Sequence, residues 1–224
     1  MTTTLVERPQ EAPTPTVQPQ PVAPVVAFKR RTIDSILISF GVLAAVVFAV
    51  AGGLLTWGNS FASDYVGDEL SAQNITFPDA EALTAEGRTD LLEFAGNKLN
   101  TGDEAEAYAS FIAGHLEETA AGATYADLGT PERAAKGEVT AAIEAGAPQA
   151  EIDELQAKAD VISGQRNSLF KGETLRGLLL STYAWSTVGM IAGIAAVGAF
   201  IAAGLMMVLV GLGLVHHRRT PKTA

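Results

Sequence analysis

The chain has 224 residues, a formal net charge of −10 and no cysteine. Without cysteine it can form no disulfide framework, thiolate metal site, c-type haem attachment or lipoprotein anchor. The negative charge argues against nucleic-acid binding, which needs clustered lysine and arginine.

The first segment, residues 1–31, is predicted to be a disordered, proline-rich cytoplasmic tail. Six prolines stand among Thr, Gln, Ala and Val before residue 28, and the apolar residues follow no helical or strand period. A proline-rich ligand for a partner domain is the alternative interpretation. No basic residue closely flanks a Pro-x-x-Pro core, so composition favours a flexible tail.

Two long apolar runs predict transmembrane helices. Neither 35–58 nor 177–215 contains a single Asp, Glu, Lys, Arg or His. Because a bilayer's hydrocarbon core takes about 20 helical residues, we predict a first span over 32–58 and a second over 181–215. Proton relays, ion pathways and haem ligands inside a membrane are built from ionisable groups. Transport or redox chemistry by this chain alone is therefore not expected.

Basic clusters at the two outer ends of the spans predict the topology. They comprise Lys29, Arg30, Arg31, Arg218, Arg219 and Lys222. By the positive-inside rule both termini are cytoplasmic, including a short basic tail over 216–224, and residues 59–180 are extracytoplasmic. A signal peptide cleaved near Ala49-Val50-Ala51 is the competing interpretation, but the apolar run is too long and starts too deep in the chain.

Small residues in the spans indicate close helix packing. In the first span they recur at every fourth position, and the second span has a Gly-x-x-x-Gly spacing and several further alanine pairs; the candidate contact residues are Gly41, Ala45, Ala49, Gly53, Gly189 and Gly193. Helices in lipid associate through such close backbone approach. Antiparallel packing of the two spans and contact with another integral membrane protein both explain the pattern.

The central segment is predicted to be an acidic, mostly helical domain with 22 acidic and 8 basic side chains. Apolar spacing and turn residues predict helices over 79–99, 103–121, 130–146 and 148–163. The last two form a predicted hairpin, in which Thr130 and Pro131 begin the first helix and Val139 and Ile143 pack on the second. The acidic surface could steer a cationic partner or provide solubility.

Three leucines lie just outside the second span. Tyr183 and Trp185 mark the outer interface of the bilayer, which leaves 188–210 in hydrocarbon. Since Leu178, Leu179 and Leu180 then stand above the membrane and are too apolar to face water, we expect them to pack on the outer helices or on a partner.

No residue pattern predicts a cofactor or metal site. His115 lies on an apolar helix stripe and is expected to be a packed residue. The acidic pairs lack the spacing and central glycine of a calcium loop, and His216-His217 among arginines is explained by interfacial anchoring. The sequence therefore predicts an all-α, two-span, non-catalytic membrane protein.

Several short motifs resemble a family of small actinobacterial proteins with two membrane spans. The motifs are Thr56-Trp57-Gly58, the residues 72–76 (AQNIT), Ala107-Tyr108-Ala109 with His115, the residues 124–128 (TYADL), and Thr174-Leu175-Arg176. Members often carry the label of an aromatic ring-opening dioxygenase. Non-haem iron oxygenases hold Fe(II) with two histidines and a carboxylate. Here the bilayer separates His115 from the His216-His217 pair, and no carboxylate is near that pair in sequence, so we reject the label.

The resemblance implies a different role, because related proteins are accessory subunits of the actinobacterial respiratory supercomplex of cytochrome bcc and an aa3 oxidase. The leading hypothesis is a non-catalytic accessory subunit whose partners are respiratory membrane subunits and the lipid bilayer. The alternative hypothesis is a self-associating membrane protein whose outer domain binds or senses an extracytoplasmic ligand.

Overall fold

The computed structural model describes residues 30–219 as an all-helical fold. Two long helices enclose three short ones and a 3-10 helix in the order α1 (Arg30–Ala72), α2 (Ala80–Ala85), the 3-10 helix (Thr89–Phe94), α3 (Gly102–Thr119), α4 (Gly129–Glu144) and α5 (Gln149–Arg219). Nearly all of the predicted proline-rich tail and the end of the predicted basic tail lie outside the described residues.

The long helices α1 and α5 pack antiparallel, as the sequence predicts. They contain 43 and 71 residues, which corresponds to about 65 Å and about 107 Å at 1.5 Å per residue. Their most apolar 18-residue windows have mean hydropathies of 2.5 and 2.4, and only 11% and 17% of those windows is buried within the protein. Both helices are long and apolar enough to cross a membrane, and they lack the burial of core helices in soluble proteins.

Both long helices continue well beyond the apolar runs. α1 extends through residues 59–72, and α5 joins the predicted 148–163 helix to the second apolar run without a break. No proline interrupts α5 after Pro148, and its glycines at 164, 172 and 177 are tolerated inside the helix. At Gly172 a side chain would not fit, because Leu116 of α3 fills the space that a Cβ would occupy.

A compact core forms where the upper part of α1 meets α3, α5 and the 73–101 segment. Val66 and Leu70 of α1 and Leu179 of α5 are buried there. The segment contributes Phe77, which stacks on Phe94 at 5.4 Å and meets the edge of Tyr108 at 5.2 Å between ring centroids. The remaining buried members of this core are Leu83, Leu91, Leu99, Ala105, Ala107, Ala109 and Phe111.

The 73–101 segment is less helical than predicted. Residues 75–78 are extended, after a turn in which Asn74 has a left-handed φ of 51°, and Thr76 pairs with Lys98 in an isolated antiparallel bridge. The predicted 79–99 helix is replaced by α2 and the 3-10 helix. Gly87 and Gly96 cause this difference, since both adopt left-handed backbone angles, with φ of 70° and 72°, that end each short helix.

α3 matches its predicted range and begins with a capping box. The Thr101 hydroxyl accepts a hydrogen bond from the Glu104 amide at 3.2 Å, and the Glu104 carboxylate accepts one from the Thr101 amide at 3.0 Å. These bonds satisfy backbone donors that the first helical turn leaves free.

The predicted α4–α5 hairpin is present, with two corrections. α4 begins at Gly129 with Leu128 at the N-cap, so Thr130 lies inside the helix and does not cap it. Val139 is buried as predicted, but Ile143 is 56% exposed and Ala142 takes its place in the contact. The helix is rotated so that the i+3 neighbour of Val139, rather than the i+4 neighbour, faces α5.

Candidate functional site

The α1–α5 interface contains four of the six small residues singled out from sequence. A Cβ on Gly41 would lie 2.7 Å from Val210 Cγ2, and a Cβ on Gly189 would lie 2.8 Å from the Cβ of Ala62. Ala45 is also buried in this interface. The two backbones therefore approach closely at both ends of the apolar region.

At Gly193 the close neighbour is polar. A Cβ there would lie 2.9 Å from Oδ1 of Asn59. Asn59 was not among the predicted contact residues, and its amide lies at the end of the apolar part of the interface. Its heptad spacing would have indicated it, since Asn59 lies seven residues after Gly52 and seven before Val66 on the same face of α1.

The other two predicted small residues, Ala49 and Gly53, are exposed. Contact positions repeat every seven residues, and on α5 the buried members are Gly189, Ala196, Ala203 and Val210. On α1 the same period joins Ala45, the buried Gly52 and Val66. A strict four-residue spacing drifts by about 40° per step on a 3.6-residue helix, so Ala49 and Gly53 rotate away from the partner. Heptad spacing was the signal that would have found Gly52.

The three leucines that precede the predicted second span have different environments. Leu179 is 3% exposed and packs in the core with Val66 and Phe111. Leu178 is 63% exposed and Leu180 is 39% exposed. Leu178 lies two helical turns before Trp185, itself 62% exposed, on the same face of α5. Leu178 and Trp185 are therefore two uncovered apolar side chains on one face of α5, with Ser181 and Thr182 in the turn between them.

A row of aromatic rings marks one exposed face of α1. Trp57 stacks on Phe61 at 5.7 Å and Phe61 on Tyr65 at 6.0 Å between centroids. More than half of each side chain is exposed. The Ala62–Gly189 contact places Tyr65 at the level of Trp185, so aromatic residues of both helices lie at one height, as in the interfacial belts of membrane proteins.

The outer domain contains an apolar cavity of about 490 Å³ between α3, the loop after it and α5. Leu116, Ala123 and Leu169 line its floor. Its rim includes Glu173 and Arg176, which form an ion pair at 3.1 Å. The lining is mostly apolar, but it also includes Glu117 and Thr124, and the pocket is open to solvent on one side.

A polar network closes the base of the α4–α5 hairpin. The Glu132 carboxylate accepts hydrogen bonds from Lys136 at 2.7 Å, Arg166 at 2.6 Å and Ser163 at 3.0 Å. These bonds lower the pKa of Glu132 from its usual 4.5 to about 2. Arg166 also covers the Tyr125 ring at 4.1 Å, so it links α5 to both α4 and the preceding loop.

His115 lies in the domain between the two apolar runs, and the other two histidines are adjacent at the end of α5. His115 packs against the Phe111 ring at 4.5 Å, and its Nε2 lies 3.8 Å from the Glu86 carboxylate. His217 lies seven residues after Val210 at the end of the α5 contact stripe. Because Gly41 faces Val210 in the antiparallel pair, Asp34 on α1 lies at the level of His217, although the two residues are far apart in sequence. Over residues 30–219, no group of three or more histidine or acidic side chains could hold a metal ion.

Comparison of the chain with protein-family models, with curated proteins and with solved structures returned no match.

Proposed function

We propose that this chain is a non-catalytic accessory subunit of a larger membrane complex, and that the complex is the actinobacterial respiratory supercomplex of cytochrome bcc and aa3 oxidase. The observation that carries the proposal is the pair of exposed apolar side chains Leu178 and Trp185 on one face of α5. Leu178 is 63% exposed and Trp185 is 62% exposed, and this pair at the expected membrane boundary offers a contact surface for a partner. A neighbouring subunit that rises out of the membrane beside α5 would cover this surface.

The proposed topology places both chain ends in the cytoplasm. Antiparallel packing of α1 and α5 brings Arg31 and Arg218 to the same end of the helix pair, which is the arrangement that the positive-inside rule requires. The core, the cavity and the hairpin then stand on the extracytoplasmic side. The aromatic level at Tyr65 and Trp185 fits the outer interface.

Purification in mild detergent tests the proposal. We expect the affinity-tagged chain to retain haem-containing subunits at a fixed ratio, measured by the haem absorbance and by mass spectrometry of the partners. Leu178→Asp should reduce that ratio severalfold, because a carboxylate cannot enter an apolar contact. Val161→Asp, at a similarly exposed site on the distant hairpin, is the matched control and should retain the partners. Recovery of the chain only as a homo-oligomer would overturn the proposal.

The cavity of about 490 Å³ favours a second candidate function, in which a self-associating membrane protein binds an extracytoplasmic ligand. Here the purified protein should be a homo-oligomer by light scattering, and small amphipathic molecules should raise its melting temperature. Ala123→Trp, which fills the cavity from its floor, should abolish that rise. Retention of haem subunits by Ala123→Trp together with loss by Leu178→Asp would favour the accessory role.

A further inference from the structure

An apolar groove of about 180 Å³ lies between α1 and α5. It is near the end of the helix pair that carries Arg31 and Arg218, which we call the charged end. Leu37, Met206 and Leu209 line it together with Ile38, Val210 and the two glycines Gly41 and Gly213, over which Val210 and Ile38 pack. A Cβ on Gly213 would lie 3.2 Å from Cγ1 of Ile38, another lining residue, so a larger side chain at 213 would displace Ile38 and change the shape of the groove.

Three buried polar atoms belong to residues that lie beyond the groove residues toward the charged end of the helix pair, Arg31 and Asp34 on α1 and His217 on α5. Arg31 Nε, Asp34 Oδ2 and His217 Nδ1 are shielded from solvent and have no hydrogen-bond partner among residues 30–219. Asp34 and His217 each lie seven residues beyond a groove residue, Gly41 and Val210 respectively, on the same contact stripes. An unpaired buried polar atom costs free energy, so a site with three of them needs an occupant that can both accept and donate hydrogen bonds.

We propose that this groove and these three atoms bind one anionic phospholipid with a hydroxylated headgroup, a site that rests on the membrane hairpin proposed above. The phosphate accepts hydrogen bonds from Arg31 Nε–H and from the Nδ1–H form of His217. A headgroup hydroxyl donates to Asp34 Oδ2, and one acyl chain follows the groove past Gly213.

Charge favours an anionic lipid over a protein helix. The groove of about 180 Å³ accommodates part of one acyl chain. Arg31, Arg218 and Arg219 outweigh Asp34 at this end of the helix pair. Basic sites between helices on the cytoplasmic side suit the anionic lipids of that leaflet.

The full chain is reconstituted in vesicles of equal parts phosphatidylcholine and phosphatidylglycerol, and flotation first establishes insertion. Native mass spectrometry after detergent extraction then counts the retained lipids. We expect enrichment of phosphatidylglycerol over phosphatidylcholine, a fall of about fivefold in Arg31→Gln, and loss of the bound lipid in Gly213→Leu.

The matched controls are Arg219→Gln, which removes the same charge from an exposed site, and Gly211→Leu, which adds the same side chain where nothing lies within 4 Å. Both should retain the lipid. In vesicles of phosphatidylmethanol, an anionic phosphodiester whose headgroup has no hydroxyl, retention should fall below that of phosphatidylglycerol, and Asp34→Ala should remove the difference.

Insertion without enrichment of phosphatidylglycerol would overturn the lipid site and leave the membrane hairpin standing. An equal effect of Arg219→Gln and Arg31→Gln would also overturn it, since the enrichment would then be a property of the whole charged end. A dimer that Gly213→Leu dissociates would assign the groove to a second copy. Failure to float with vesicles would overturn the hairpin and the site together.

Discussion

The Glu132 carboxylate and the Arg166 guanidinium form a 2.6 Å ion pair between α4 and α5, 34 residues apart in the chain. The Glu132 side chain is only 12% exposed. This contact joins the start of α4 to α5 at the end of the hairpin that is opposite the α4–α5 turn. Beyond it, the hairpin is held mainly by Val139, Ala142 and Ala159.

Acid should weaken the hairpin through Glu132. Because the folded pKa of about 2 lies below the usual 4.5, the carboxylate contributes stability that is fully present above about pH 5 and is lost as the pH falls toward 2. Glu132→Gln should lower the melting temperature at pH 7 by a few degrees and flatten part of the acid dependence. Circular dichroism melts between pH 7 and pH 2 measure both effects.

The control for this prediction is Glu144→Gln, an exposed carboxylate at the end of the same helix, which should keep the wild-type acid dependence. Hydrogen bonds also lower the pKa values of Asp90, Asp127 and Glu154, so the Glu132 variant should retain a reduced acid sensitivity. An unchanged acid profile in Glu132→Gln would contradict the role given to this contact.

Two glycines five residues apart on α5 should respond oppositely to alanine. A Cβ at Gly172 would lie 2.9 Å from Cδ1 of Leu116, a buried residue whose whole side chain would have to move. Gly172→Ala should therefore destabilise the outer domain by about 1–3 kcal/mol. Gly177 is exposed with nothing within 4 Å, so Gly177→Ala should stabilise the helix by about 0.5–1 kcal/mol. Denaturant unfolding of both variants measures the change in the free energy of unfolding. Changes of the same sign would contradict the packing of Leu116 against Gly172.

The sequence was sufficient to predict the two long apolar helices and their antiparallel pairing. Hydrophobicity and length decide such helices almost alone. It also identified four small residues of the interface, because glycine and alanine permit close approach wherever they fall. The prediction chose Gly53 over Gly52 because it used a four-residue spacing, whereas the seven-residue spacing from Ala45 leads to Gly52.

Other features were beyond single-sequence reasoning because they depend on distant contacts. Which of three consecutive leucines is buried is decided by the outer core, and the core selects Leu179. The hydrogen bonds from Ser163 and Arg166 to Glu132 span 31 and 34 residues. The spacing of polar residues along the chain does not indicate such distant partners. The prediction treated the 148–163 helix and the second span as separate helices, whereas the structure joins them in one α5.

Disulfide formation should report the register of the helix pair without background, since the chain has no native cysteine. The double variant Ala62→Cys with Gly189→Cys should cross-link rapidly under mild oxidation, because these two positions are in contact across the interface. Ser63→Cys with Gly189→Cys is the control, at the same height but on the exposed side of α1. Equal rates for the two pairs, measured by gel shift of the unreduced protein, would exclude this register.

Single introduced cysteines should also reveal which end of the helix pair faces outward. Ala145→Cys lies in the turn that follows α4, and Arg219→Cys lies at the exposed end of α5. If both helices cross the membrane as proposed, a membrane-impermeant maleimide added to intact cells should label the first position at once. It should reach the second only after lysis, because the bilayer separates them. Labelling of Arg219→Cys in intact cells, with Ala145→Cys protected, would invert the topology and place the cavity in the cytoplasm.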